Sequence, residues 1–272
     1  MDWADQCVAL IPCFNEEAQL AGLIQAVRFY IPHVIVVDDG STDETAATAH
    51  AVGATVIQLQ RNSGKGCALQ AGWQQAKRLG FSWVLMLDGD GQHAPDDIPN
   101  FWERAAKSEA TLVIGNRMGN AKAMPFHRRM VNRWMSRRIS KLVGATVPDS
   151  QCGFRLARLD LLLQLPILAN RFEVESAMLA AFYLHRQKVE FVPVQTIYRS
   201  AKSHIDPLAD TWRWLRWRLG FSRLQDNART IVQPHLRVRN VRRRRQLAPL
   251  RTTKTAFDRN QAILPDLRTD TH

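Results

Sequence analysis

The sequence predicts an α/β fold: a Rossmann-like, mostly parallel central sheet flanked by helices, followed by a basic C-terminal extension. Three observations predict it. Short runs rich in Val, Ile and Leu recur along the first half without polar alternation, as strands buried on both faces do. Segments with helical spacing of apolar residues separate them. Four strand ends carry polar residues, and in a parallel sheet such tips share one rim, where ligands bind.

The elements follow in order. "CVALIP" is the first strand, and Leu20, Leu23, Ile24 and Val27 mark the helix after it, with Asn15 as its N-cap. "HVIVVDD" is the second strand, and a helix starts from about Asp43. "TVIQLQ" is the third strand, and "GCALQAGWQQAKRLG" is a helix closed by Gly80. "SWVLML" is the fourth strand and "TLVIGNR" a later one. "PFHRRMVNRWMSRRISKLVG" is an amphipathic helix. It interleaves Phe126, Met130, Val131, Trp134, Ile139, Leu142 and Val143 with Arg128, Arg129, Arg133, Arg137, Arg138 and Lys141. "RFEVESAMLAAFYLHRQ" is a further helix and "VEFVPV" a last strand.

The chain has 272 residues, 46% of them apolar, with a net charge of +12. That size suits one large α/β domain, expected over 1–208. Residues 212–272 hold 15 Lys and Arg against 4 Asp, a net +11 of that total. The body is therefore nearly neutral and the end is a polycation, which seeks anionic surfaces. Residues 209–227 are expected to form a Trp/Arg-rich amphipathic helix and 228–272 a disordered tail. Trp214 and Trp217 beside several arginines suit a membrane interface. No apolar run is long enough to span a bilayer, and the acidic start is not a signal peptide. Cys7, Cys13, Cys67 and Cys152 lack C-x-x-C spacing and are expected to be reduced packing residues in a cytoplasmic protein.

The stretch "WVLMLDGDGQH" carries the chemistry. Asp88 and Asp90, one residue apart on an extended tip, can face the same way, and the Gln92 amide oxygen lies two further on. Such an incomplete oxygen set suits Mg²⁺ or Mn²⁺ whose shell is finished by phosphate oxygens. An EF-hand is excluded, because His93 stands where its loop needs Gly and Pro99 where it needs Glu. "NSGKG" is no P-loop, since Gly66 follows Lys65, although Lys65 can still approach a phosphate.

"IPCFNEE", "VVDDGSTDET", "NSGKG", "LDGDGQH", "GNR", "DSQCGFR" and "FEVES" occur in that order. Together they resemble a family 2 glycosyltransferase of the GT-A fold, similar to the dolichol-phosphate mannosyltransferase-like branch. The resemblance implies a nucleotide-diphosphate-sugar donor, a divalent metal and inversion at the sugar carbon. It implies that Pro12, Phe14 and Glu16 line the nucleotide pocket, with Phe14 lacking the hydroxyl of the Tyr often found there. It implies base or ribose contact by Asp39, and a metal and donor site of Asp88, Gly89, Asp90 and Gln92. Arg117 would face the donor phosphates or sugar, and Arg199 and Lys202 would close over the pyrophosphate, with His204 where Lys is frequent.

A polyprenyl-phosphate acceptor needs no strong base, whereas a hydroxyl acceptor does. Asp149 is the first candidate for that base, with Glu173 and Glu175 behind it. Glu175 equally suits an ion pair with an arginine of the basic helix. The whole reading is a peripheral enzyme on the cytoplasmic membrane face, acting on a lipid or lipid-linked acceptor. It would bind anionic membrane through its C-terminal basic segment. A nucleotidyltransferase would show a Gly-rich basic loop after strand one, where "PCFNEE" is acidic. The Arg-rich tail lacks the interleaved aromatics of a specific nucleic-acid binder.

Overall fold

The structure is a computed structural model that describes residues 3–119, 124–167, 169, 171 and 173–197, with backbone alone at 4 and 127. The expected α/β sheet is present. Among the described residues it has seven strands: β1 (Cys7–Cys13), β2 (Val34–Asp38), β3 (Thr55–Gln58), β4 (Trp83–Met86), β5 (Leu112–Asn116), β6 (Arg155–Arg158) and β7 (Val189–Pro193). Their order across the sheet is β3-β2-β1-β4-β6-β5-β7. The flanking helices are α1 (Trp3–Gln6), α2 (Glu17–Arg28), α3 (Thr45–Ala51), α4 (Lys65–Arg78), α5 (Ile98–Ser108), α6 (Phe126–Val143), α7 (Leu159–Gln164) and α8 (Val174–Leu184).

The apolar runs behave as their composition requires. Val8–Ile11, Val36–Val37, Val84–Leu85 and Leu112–Ile114 are fully buried, because helices cover both faces of the sheet. α2 turns Leu20, Leu23, Ile24 and Val27 inward, as their spacing predicts. Gly64, at φ 97°, turns the chain into α4 in a backbone region that side chains with a Cβ rarely enter.

One expectation needs correction, and the structure adds elements that the sequence did not show. Asn15 does not cap its helix: α2 begins at Glu17, and Asn15 sits at φ 59°. Its side-chain oxygen instead accepts from the Thr42 backbone N–H at 2.9 Å, tying the first loop to the second. The sheet is mostly parallel, as expected, and among the described residues β6 is its reversed strand, antiparallel to both β4 and β5. Its "RLAR" sequence hid it, since an arginine at each end breaks the apolar run. Arg155 nevertheless packs fully inside, its guanidinium donating to the carbonyls of Ser150 (2.9 Å), Cys152 (2.7 Å) and Glu175 (2.6 Å). Finally, α5 and α7 were not expected from the periodicity, and α8 is shorter than the run read as helical.

The pairing fixes the rim. β1, β2 and β4 run parallel, with Cys13 opposite Asp38 and Leu10 opposite Met86. Two successive antiparallel pairings make β5 parallel to β4. All four expected polar tips therefore lie at the same edge. The reversed β6 enters the sheet there, so its leading residues, 149–153, join that edge. The expected amphipathic helix over 209–227, the tail 228–272, and Arg199, Lys202 and His204 lie outside the described residues. No helix among the described residues is long and apolar enough to cross a membrane.

Candidate functional site

Asp88 is the hub of the rim. One carboxylate oxygen accepts from Lys65 Nζ at 2.5 Å, and the other meets His93 Nε2 at 3.2 Å. Lys65 also pairs with Glu175 Oε1 at 2.5 Å. It stands there because α4 starts at Lys65 and α8 carries Glu175 on its buried first turn. Glu175 thus pairs with Lys65 and not with an arginine of the basic helix. Its second oxygen is buried without a hydrogen-bond partner among the described residues. Burial alone would raise the Asp88 carboxyl, but the Lys65 ammonium and the His93 ring hold it well below the usual carboxylate range.

The backbone approaches Asp88 closely. A Cβ on Gly153 would stand 2.6 Å from Asp88 Oδ2, and one on Gly89 would stand 2.7 Å from Cys13 Sγ. Both positions need glycine for space. Gly89 brings the tip of β4 against the end of β1, where Pro12 and Glu16 lie. Pro12, Lys65, Met86, Asp88, Gly153 and Glu175 line one narrow cavity.

The carboxylates repel one another. Burial raises Asp90 from its ordinary value, and the nearby Asp88 charge raises it further. Burial, then Asp90, Asp88 and Asp43, push Glu16 up to about 7. Among the described residues no three His, Cys, Asp or Glu side chains form a ready-made metal site. The donor set still fits a divalent cation. Asp88 and Asp90 offer hard oxygen ligands, Gln92 is tied to Asp90 Oδ1 by its backbone N–H at 3.0 Å, and a cation would relieve the repulsion that adds to burial in lifting Asp90 and Glu16. Its shell would be completed by a ligand, as the sequence spacing suggests.

The other expected residues are placed as follows. Asp39 is buried, and its carboxylate accepts from the backbone N–H groups of Ser63 (2.7 Å) and Gly64 (2.8 Å). It therefore clasps the loop that leads to Lys65. Phe14 is partly buried at the mouth of β1. Arg117, at the end of β5, binds Asp149 through Nε at 2.8 Å and Nη2 at 3.0 Å. Asp149 is fully buried and accepts five hydrogen bonds, also from the backbone N–H groups of Arg117 and Gln151 and from the Asn132 amide. Burial would raise its carboxyl, but Arg117 and Asn132 hold it below its ordinary value. Glu173 lies at the N-cap of α8 without a side-chain cap.

Sequence reasoning missed four contributors. His93, Gly153 and the α6 residues Asn132 and Ser136 all support the rim. Ser136 Oγ accepts from the Ser150 N–H at 2.9 Å while Asn132 donates to Asp149. A polar pair at i and i+4 inside an apolar stripe was the available signal. The chain after β7 is tied to the same loop: Ile197 N–H donates to Gln92 O at 2.9 Å, and Gln195 N–H to Asp97 Oδ2 at 2.7 Å.

Comparison with known proteins shows the family and agrees with the fold. The model of the family described as glycosyl transferase family 2 matches residues 8–165. A UDP-N-acetylglucosamine–dolichyl-phosphate N-acetylglucosaminyltransferase of Methanococcus voltae is 29% identical over 219 residues, covering 72% of this chain and 87% of its own. A polyprenol monophosphomannose synthase of Mycolicibacterium smegmatis is 29% identical over 173 residues, covering 60% of this chain and 65% of its own. In fold, the chain is similar to glucosyl-3-phosphoglycerate synthase from Mycobacterium tuberculosis, crystallised with Mn²⁺ and UDP-glucose. The TM-score is 0.60 at 23% identity, covering 79% of each chain.

Proposed function

The chain belongs to glycosyl transferase family 2, and on that premise we propose that it moves a sugar from a nucleotide-diphosphate sugar to a polyprenyl phosphate or other lipid-linked acceptor. Transfer inverts the sugar carbon and takes place at the cytoplasmic membrane face. The observation that carries the donor half is the convergence of Glu16, Asp88 and Asp90 on one rim, where burial and the neighbouring carboxylates raise Glu16 and Asp90 while Lys65 and His93 keep Asp88 charged. A relative named for transfer to dolichyl phosphate and another named for making polyprenol monophosphomannose support the acceptor half.

In the transfer, an acceptor phosphate oxygen bonds to the anomeric carbon as the bond from that carbon to the β-phosphate oxygen breaks. The electron pair leaves with the nucleoside diphosphate. Asp88, Asp90 and the Gln92 amide would hold Mg²⁺ or Mn²⁺, which supplies positive charge beside the diphosphate when bound. Lys65 adds a second positive charge at the same rim and is kept protonated by Asp88 and Glu175 against the effect of burial. Arg117 faces the sugar and its phosphates. Asp149 is a positioning residue for that guanidinium in place of the base expected from sequence, because its lone pairs are already taken. Asp39 shapes the nucleoside end through the 61–64 loop, beside Pro12 and Phe14. Arg199 and Lys202 complete the pyrophosphate contacts, and the C-terminal basic segment meets anionic lipid.

An acceptor phosphate enters as an anion, so the reaction needs no base. A hydroxyl acceptor is the second reading, and Glu175 Oε2, buried without a partner among the described residues, is the carboxylate oxygen that would serve it. A panel of nucleotide sugars, offered with polyprenyl phosphate or with a hydroxyl glycolipid, tests both. The proposal expects nucleoside diphosphate release that depends on the polyprenyl phosphate. Release with the hydroxyl acceptor alone would favour the second reading, and release with neither across the panel would refute both.

A further inference from the structure

α6 is an 18-residue helix without one Asp or Glu. At about 100° per residue, Phe126, Met130, Arg133, Arg137 and Lys141 fall within one arc of about 80°. All five are exposed, Phe126 at 66% and Met130 at 56%. Val131 and Arg138 widen the same outer face. The opposite arc, Asn132, Met135, Ser136 and Ile139, is buried against the domain. The outer stripe is therefore apolar over its first turn and basic over the next three.

A merely solvated face does not account for this pattern. Such a face carries both signs of charge and ion pairs at i, i+4. Here Arg133, Arg137, Arg138 and Lys141 have no ion-pair partner among the described residues. Two large apolar side chains stand in water at the end of the same stripe. Arg129 lies over the Phe126 ring, its guanidinium carbon 5.6 Å from the centroid, and Arg138 lies over Trp134 at 5.2 Å. Aromatic rings with guanidinium groups over them suit the headgroup layer, where rings sit beside cations that meet lipid phosphate.

We propose that the outer face of α6 docks on an anionic lipid bilayer, with Phe126 and Met130 inserted among the headgroups and Arg133, Arg137 and Lys141 against lipid phosphates. The charge complementarity selects the occupant: a stripe with no negative group favours a surface of dense negative charge. The inner face of the same helix donates from Asn132 to Asp149, which holds Arg117. Docking therefore sets the Arg117 end of the rim about one helix diameter, roughly 10 Å, from the membrane. The inference goes beyond the acceptor reading, since it concerns binding with no sugar donor present.

The test is co-sedimentation of the full chain with vesicles of phosphatidylcholine, alone or mixed with phosphatidylglycerol. Wild type is compared with Arg133→Gln/Arg137→Gln/Lys141→Gln and with Phe126→Ser/Met130→Ser. All five side chains are exposed, and unchanged thermal melting will confirm that both variants fold. Each cation near an anionic surface is worth roughly a factor of five, so the charge variant loses about 100-fold in partitioning onto the anionic vesicles. The apolar variant loses about ten-fold on those vesicles. Binding of either variant within two-fold of wild type would overturn the proposal, as would failure of wild type to prefer anionic vesicles. A concentration-dependent dimer that Phe126→Ser/Met130→Ser abolishes would also overturn it, by giving the stripe to a second copy of the chain.

Discussion

Replacing Asp149 by Asn separates a positioning role from a base. The carboxylate is fully buried and bidentate to Arg117, whose side chain is 19% exposed. Asp149→Asn keeps the shape but leaves a nearly buried guanidinium without its counter-charge. Breaking a buried pair from one side costs about 3–5 kcal/mol. For a domain of this size that lowers the melting temperature by roughly 6–20 °C. Arg117 then loses its fixed orientation, and turnover falls by about 100-fold, the cost of a misplaced group. Melting curves and nucleoside diphosphate release across pH read both effects. A positioning residue leaves the shape of the pH–rate profile intact. A variant that melts with wild type while losing the acid limb of that profile would refute the reasoning and restore Asp149 as the base.

Further predictions follow from individual contacts. Glu16 is raised to about 7 against an ordinary 4.5, so the folded chain keeps a proton that the unfolded chain releases. Stability therefore falls as pH rises from about 4.5 to about 7, by on the order of 1–2 kcal/mol once solvent screening of this half-exposed carboxyl is allowed for. Glu16→Gln removes that slope and melts above wild type at pH 8 but not at pH 4; parallel pH profiles of the two would contradict this. Asp39→Ala frees the Ser63 and Gly64 N–H groups. It is expected to cost about 1.5–3 kcal/mol of stability and to raise KM for the donor more than it lowers kcat. A large fall in kcat at unchanged KM would show another role. Gly153→Ala drives a methyl into Asp88. It is expected to weaken Mn²⁺-dependent donor binding by about 100-fold, whereas wild-type affinity would show that the rim yields freely.

The parallel part of the fold was legible because strands buried on both faces write themselves as unbroken apolar runs. β6 was not, since its Arg155 is a buried cation satisfied by the carbonyls of Ser150 and Cys152 in the turn before it and of Glu175 on α8, contacts that the residue pattern does not record. The rim was legible for a related reason: polar residues directly after such runs have one edge to occupy. Sequence placed Asp88, Asp90, Asp39 and Arg117 on that edge but could not show what each side chain holds. The Lys65 ion pairs join residues 23 and 110 positions away, through the starts of two helices. Asp149 was read as the first candidate base, because its partners, Arg117 and Asn132, come from β5 and α6, and spacing along the chain records neither contact. Asn15 matched the cap pattern, yet the neighbouring 41–42 loop offered its side chain a better partner.

The central claim is that Asp88 and Asp90 present a divalent cation to the donor diphosphate. Calorimetric titration of uridine, guanosine, adenosine and thymidine diphosphates into wild type and Asp90→Ala, with and without Mn²⁺, tests it most directly. The account predicts that Mn²⁺ strengthens binding of at least one nucleotide to wild type by about 100-fold, a few kcal/mol. It predicts that Asp90→Ala retains the metal-free affinity and loses the enhancement. Wild-type binding indifferent to Mn²⁺, or an enhancement that survives in Asp90→Ala, would contradict it.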